Sequence, residues 1–347
     1  MMLPLTIAPA ADTSLPLPRF LQIEPVGQCN LRCRMCPIAY RKDGPPHGPP
    51  AFMPFERFTA LLDQFIPGLE ELQLQGLGEP LMHPRFFDMV SYATARGVTV
   101  STNSNMTLLN PGRAERLVTC GLREMHVSID GATAETYEFI RERGRFARVV
   151  ENVDRLQAAK RRLGSNSPWL RMVVVAMRRN LAEFPDLVRL AHRLGIDTVF
   201  VQHLCHDFGE SSLPNQYRPM RDFVAEQTLV GADPGRIEEA FAAARRVAAE
   251  LRVDLRLPNT RPRPHAPGTP GPERCDWPWR RAYVSFDGRA MPCCMVATPD
   301  RANFGNMAAH GAAAVWNSAG YHAFRRQLSS DRPPEICRSC SVYHGTF

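Results

Sequence analysis

Two hydrophobic periods take turns along this chain. A short apolar run over residues 20–26 is followed, over residues 55–65, by Phe55, Phe58, Leu61, Leu62 and Phe65 at the spacing of one helix face. Residues 71–77 alternate as a strand through Leu72 and Leu74, and an amphipathic helix is expected over 84–96 with Pro84 in its first turn. A strand over 98–102, a helix over 113–119 closed by Gly121, a strand over 124–129 and a long helix over 147–163 continue the pattern. Met172 to Met177 is continuously apolar, as in a strand buried on both faces, and a helix over 183–194 and a strand over 198–204 complete the series. Strands alternating with helices predict parallel strands joined by right-handed crossovers. Six such units are too few for a closed eightfold barrel. The expected fold class is therefore α/β, a partial, open, TIM-like (β/α)6 barrel over residues 20–205. Its polar and glycine-bearing segments follow the C-terminal strand ends, where such barrels assemble active sites.

The flanks read differently. Residues 1–19 are proline-rich, with no basic stretch ahead of an apolar core, and are expected to be a flexible arm rather than a signal peptide. Residues 206–235 read as irregular, 236–251 as an alanine-rich helix and 253–257 as a further strand. The unit 206–272 thus completes the barrel and ends in a proline-rich linker over 261–272. Residues 273–347 read as a small cysteine-rich α+β domain, with a hairpin signal at Asp287-Gly288.

Composition narrows the function classes. Apolar and charged contents of 44% and 22% are those of an ordinary globular protein. The net charge of +7 comes from scattered arginines rather than a basic stripe, so a nucleic-acid partner is not expected. No apolar run approaches the roughly 18 residues of a membrane span. Of the ten cysteines, all but Cys120, Cys205 and Cys294 fall into two groups at metal-like spacings, which suits a reducing compartment, and the cytoplasm is the expected location.

The first group, Cys29, Cys33 and Cys36, has the spacing CxxxCxxC. Three thiolates can hold three irons of a [4Fe–4S] cluster and leave the fourth open to a ligand that is not protein. A zinc site would need a fourth ligand nearby, for which His47 is the candidate. The second group is Cys275, Cys293, Cys337 and Cys340, the last two forming a CxxC. It suits either a closed four-thiolate cluster or an all-thiolate zinc site. Cys294, the neighbour of Cys293, is expected to point the opposite way, as neighbours in a strand do.

The CxxxCxxC motif resembles that of the radical S-adenosylmethionine (SAM) superfamily. The resemblance implies that SAM chelates the open iron and is reductively cleaved to a 5′-deoxyadenosyl radical, which abstracts a substrate hydrogen. Gly76-Leu77-Gly78-Glu79-Pro80 is similar to the family's segment for the SAM amino group, although the same residues also fit a strand-end turn with a solvated glutamate. Thr102-Asn103 and Ser128-Ile129-Asp130-Gly131 resemble its ribose and carboxylate positions, or else are Asx turns and helix caps. Arg141, in Tyr137-x-x-x-Arg141, matches a segment that pairs with the SAM carboxylate, or forms a surface salt bridge. Adenine is expected against Val174 to Met177, and Met35 stands where many members carry an aromatic residue.

Residues 275–340 resemble the SPASM/twitch extension. With no cysteine after Cys340, the resemblance implies one auxiliary [4Fe–4S] cluster, closed by four thiolates and able to pass electrons. The function it implies is oxidation, by dehydrogenation, of a small molecule such as a sugar or cyclitol, with a flavodoxin- or ferredoxin-type reductant. The alternatives are a peptide maturase, for which, with 28 residues before Cys29, a partner is expected to supply the leader-binding module, and a non-catalytic iron–sulfur electron carrier. His203 and His206 are candidate general bases, expected at the barrel mouth.

Overall fold

The computed structural model describes residues 14–40, 51–204, 214–261, 265–266, 268–296, 298–338 and 340–345. His47, Cys205 and His206 lie outside these residues. Among the described residues one sheet carries nine strands: β1 (Phe20–Ile23), β2 (Glu71–Leu74), β3 (Thr99–Ser104), β4 (Glu124–Ser128), β5 (Trp169–Ala176), β6 (Thr198–His203), β7 (Asp254–Arg256), β8 (Arg281–Val284) and β9 (Ala290–Met291). Their order is β9-β8-β1-β2-β3-β4-β5-β6-β7. Every pairing is parallel except the β8–β9 hairpin. The helices between them are α1 (Phe55–Phe65), α2 (Phe86–Thr94), α3 (Pro111–Thr119), α4 (Ala134–Ile140), α5 (Phe146–Arg162), α6 (Phe184–Arg193), α7 (Arg218–Gln227) and α8 (Pro234–Leu251). This is a partial TIM-like α/β barrel with a C-terminal cysteine-rich domain.

Strand alternation sorts the two faces of the sheet. Leu72, Leu74, Val100, Met125, Val127, Met172 and Val199 enter one continuous core. The apolar faces of the helices close that core, α1 with Phe58, Leu61, Leu62 and Phe65. The alternate positions carry Gln22, Gln73, Ser101, Glu124, His126, Arg171 and Gln202. A closed barrel fills its interior with branched apolar side chains; this open one has a polar lumen.

Several expectations change. Residues 206–235 are not wholly irregular: α7 forms there, burying only Met220, Val224 and Gln227, a stripe too sparse to stand out behind Pro219. The expected arm over residues 1–19 is anchored over its described part. Leu15 N donates to Asn317 Oδ1 at 2.8 Å, and Trp316 Nε1 donates to Pro16 O at 3.0 Å. Nor does the barrel end at the expected linker, because β8, from the C-terminal unit, pairs with the free edge of β1 and satisfies its backbone groups. His203 shares the parity of Val199 and Val201 and so turns toward the helix layer, not the mouth. It is buried, with Nε2 2.6 Å from Asn259 O.

Candidate functional site

The cysteine loop leaves the C-terminal end of β1 and is tied to the next two strand ends. Glu79 N donates to Gln28 O at 2.9 Å, and Asn30 Nδ2 donates to Thr107 Oγ1 at 2.7 Å. Asn105 Nδ2 reaches both Asn30 Oδ1, at 3.0 Å, and Cys29 Sγ, at 3.7 Å. A two-residue antiparallel ribbon, Arg32–Cys33 with Arg141–Glu142, fixes the far side of the loop, and Arg34 Nε closes it on Glu142 Oε1 at 2.8 Å. Backbone N–H and side-chain donors converge on the sulfurs: Leu31 N lies 3.4 Å from Cys29 Sγ and Arg141 Nη1 lies 4.0 Å from Cys33 Sγ. Burial pushes all three thiols up, Cys36 to about 12, and for Cys33 the nearby Arg141 charge opposes the rise. Bare thiols here stay protonated, so metal binding must displace their protons.

The expected SAM-site residues meet around this loop, though not all in the expected roles. Glu79 is buried and accepts from Ser104 Oγ (2.7 Å), Asn105 N (2.8 Å) and Leu81 N (3.2 Å). Burial raises its pKa, and those hydrogen bonds oppose the rise. A carboxylate has about four lone-pair sites, so three internal donors leave room for one more. The two glycines answer to the chain itself. A Cβ on Gly76 would meet the Glu24 side chain at 2.4 Å, and one on Gly78 would meet Val26 O at 2.0 Å. Because backbone cannot yield as a side chain can, Gly78→Ala is expected to cost about 3 kcal/mol, at the upper end of overpacking effects, read as a lowered thermal midpoint.

Ser128 Oγ donates to Asn103 Oδ1 at 2.9 Å, so the ends of these two neighbouring strands meet side by side on the lumen face. Thr102 does not join them, because its hydroxyl turns to the core side and donates to Leu74 O at 2.7 Å. Asp130 and Arg141 form a buried pair: Arg141 Nη2 lies 2.7 Å from Asp130 Oδ2, and Asp130 Oδ1 accepts from Val175 N at 2.8 Å. Burial disfavours the Arg141 charge, but Asp130 and Cys33 outweigh it and raise its pKa, while Nε has no hydrogen-bond partner. The alternative of a surface salt bridge is excluded by a residue exposure of 8%. Of the expected adenine-side run, Val174 and Ala176 go to the main core. Val175 and Met177 join a separate apolar cluster with Met35, Tyr40 and Phe139.

Other residues had no conspicuous local signal. Glu24 is fully buried, and its carboxylate accepts from Leu77 N (3.0 Å) and Phe286 N (3.3 Å), joining the β2 end to the C-terminal hairpin. Deeper in the lumen, the Glu124 carboxylate is shared by His126 Nε2 at 2.8 Å and Arg171 Nη2 at 3.1 Å. His126 is two positions before Ser128 on the same face, about 7 Å along the strand. That period-2 spacing was the signal available for it.

Cys275, Cys293, Cys294, Cys337 and Cys340 gather at the second site, where each of the other four lies close enough to act electrostatically on Cys293. Two clamps hold the surrounding frame. Tyr321 Oη donates to Met291 O at 3.2 Å, and buried Arg325 donates to Pro278 O (2.7 Å) and Trp316 O (2.8 Å). Burial lowers the Arg325 pKa to about 10.

Comparisons with known proteins agree with this division. Residues 23–191 match the family described as "Radical SAM superfamily", and residues 275–341 match SPASM, described as "Iron-sulfur cluster-binding domain". The second match covers every cysteine of the second site and selects iron–sulfur over zinc. The chain is 25% identical to a tungsten-containing aldehyde ferredoxin oxidoreductase cofactor-modifying protein of Pyrococcus furiosus, over 93% of this chain and 87% of that protein. It is 33% identical to mycofactocin maturase MftC of Mycobacterium ulcerans over 48% of this chain, spanning only 42% of that protein. Among solved structures, Streptococcus suis SuiB bound to S-adenosylmethionine superposes with a TM-score of 0.67 at 15% identity, covering 95% of this chain and 72% of that one. SuiB bound to precursor peptide SuiA gives 0.66 at 14% identity, covering 95% and 70%. At such identities these likenesses show the fold. Among the described residues no helix is long and apolar enough to cross a membrane.

Proposed function

Because the chain belongs to the radical SAM superfamily and carries a SPASM iron–sulfur domain, we propose that it is a two-cluster enzyme that abstracts hydrogen from, and oxidises, a polar substrate held in the barrel lumen. Cys29, Cys33 and Cys36 hold the first cluster, and the cysteines of the C-terminal site hold the auxiliary one. Bound there with SAM, the clusters supply a 5′-deoxyadenosyl radical and, at the closed site, an electron acceptor.

The observation that carries this reading is the contrast between the two donor sets. One has three thiols with donors aimed at sulfur and a carboxylate, Glu79, that retains acceptor capacity beside them. The other has thiols enough to close every corner of a cluster. Arg141 and Asp130 position Cys33 through the ribbon rather than offering a free guanidinium, and Asn103 and Ser128 line the ligand side of the lumen. Glu124, His126 and Arg171 form a polar floor suited to a hydroxylated or amide-bearing substrate.

A small hydroxylated molecule such as a sugar or cyclitol fits that floor. A peptide is the second reading, favoured by the likeness to MftC and by the SuiB structure holding a precursor peptide. Anaerobically reconstituted protein, reduced by dithionite or by a flavodoxin or ferredoxin system, is expected to release 5′-deoxyadenosine from SAM. No product above the level of unreconstituted protein would leave only the electron-carrier alternative. Co-expression with a short peptide encoded by a neighbouring gene, read by loss of two hydrogen atoms in its mass, decides between the two substrate classes.

A further inference from the structure

The second site holds one thiol more than a closed four-iron cluster has corners. Strand β9 ends at Met291, and Cys293 and Cys294 follow it outside any strand. The alternation expected to send them to opposite faces therefore does not act on them. Both side chains pack against the same apolar cluster, Tyr283, Met291 and Val296, beside Trp277 and Ile336. Ile336 immediately precedes Cys337, so this packing brings the CxxC segment to the same surface. Cys294 stands close to Cys340 and Cys275, with the Arg281 cation near it.

We propose that Cys294 is an alternative fourth ligand of the auxiliary cluster, able to take the corner assigned to Cys293. The inference rests on the reading that this site holds a [4Fe–4S] cluster. The exchange is a ligand substitution. The Cys294 thiol gives up its proton as its S–Fe bond forms, the Cys293 S–Fe bond breaks and that sulfur takes a proton, and no iron changes oxidation state. Adjacent residues have Cα atoms 3.8 Å apart, so a turn can exchange one thiol for the other by a local backbone shift rather than by rebuilding the domain.

The test removes the first cluster with Cys29→Ala, Cys33→Ala and Cys36→Ala, so that iron reports on the auxiliary site alone. In that background about four irons per chain are expected, and about four again after Cys293→Ala or Cys294→Ala singly. Combining those two changes is expected to remove the iron or to leave a three-iron cluster visible by electron paramagnetic resonance. Loss of iron, or a three-iron signal, in Cys293→Ala alone overturns the proposal while leaving the iron–sulfur reading intact. A background protein that holds zinc or no metal overturns that reading and the proposal with it. Circular dichroism of each metal-free variant separates loss of iron from loss of fold. Cys293→Val, which keeps the apolar pocket filled, is expected to hold about four irons as well.

Discussion

Replacing Cys29, Cys33 and Cys36 by alanine is expected to lower the iron bound after anaerobic reconstitution from about eight per chain to about four and to abolish 5′-deoxyadenosine release. The effect is all-or-none because these thiols share one loop, and its donors point at their sulfurs. Leu31 N and Asn105 Nδ2 face Cys29, and Arg141 faces Cys33. Thiols raised by burial bind metal only by losing protons, and a loop with no thiol offers nothing to exchange. The remaining four irons should keep the absorbance of a closed cluster, since the Cys275 to Cys340 site is built on β8, β9 and the segments on either side of them. Iron and sulfide analysis beside the SAM cleavage assay checks both halves. Retained SAM cleavage in the triple variant would mean that the open iron lies elsewhere.

The sequence showed this division of labour well where its signals were periodic or local. The six barrel strands and the helix of residues 55–65 were legible because Leu72 and Leu74, or Phe58, Leu61 and Leu62, repeat with the period of their element. The cysteine spacings were legible because loop ligands lie near each other in sequence. What escaped was set by distance. Nothing around Tyr283 announces that β8 will extend the barrel sheet beside β1. Glu24 looks like any strand-end glutamate until Leu77 and Phe286, which are 53 and 262 positions away, donate to it. Gly78 reads as a site of close approach, but the approaching group is the chain's own Val26 carbonyl. The rule that neighbours in a strand point opposite ways fails for Cys294 because β9 stops at Met291.

Arg141→Met is expected to be the most destabilising of the single substitutions, because it strips the cation from a carboxylate with no access to water. Asp130 is fully buried, and without Arg141 its charge keeps the Val175 N–H but loses the guanidinium. Breaking a buried pair from one side costs about 3–5 kcal/mol. At about 2 °C per kcal/mol for a chain of this size, the thermal midpoint should fall by roughly 6–10 °C. Asp130→Asn in the same protein removes the stranded charge while leaving an oxygen to accept from Val175, so the double variant should recover most of the loss. The single changes will then not add, as holds for residues in one ion pair. A second consequence separates this structural role from direct pairing with the SAM carboxylate. The ribbon joining Arg141 to Cys33 runs through backbone, so a variant that folds should still assemble its clusters. Its affinity for SAM, measured on the loaded double variant, should stay within a few-fold of the parent. A loss of SAM affinity far larger than the loss of stability would assign the guanidinium to the cofactor and Asp130 to holding it in place.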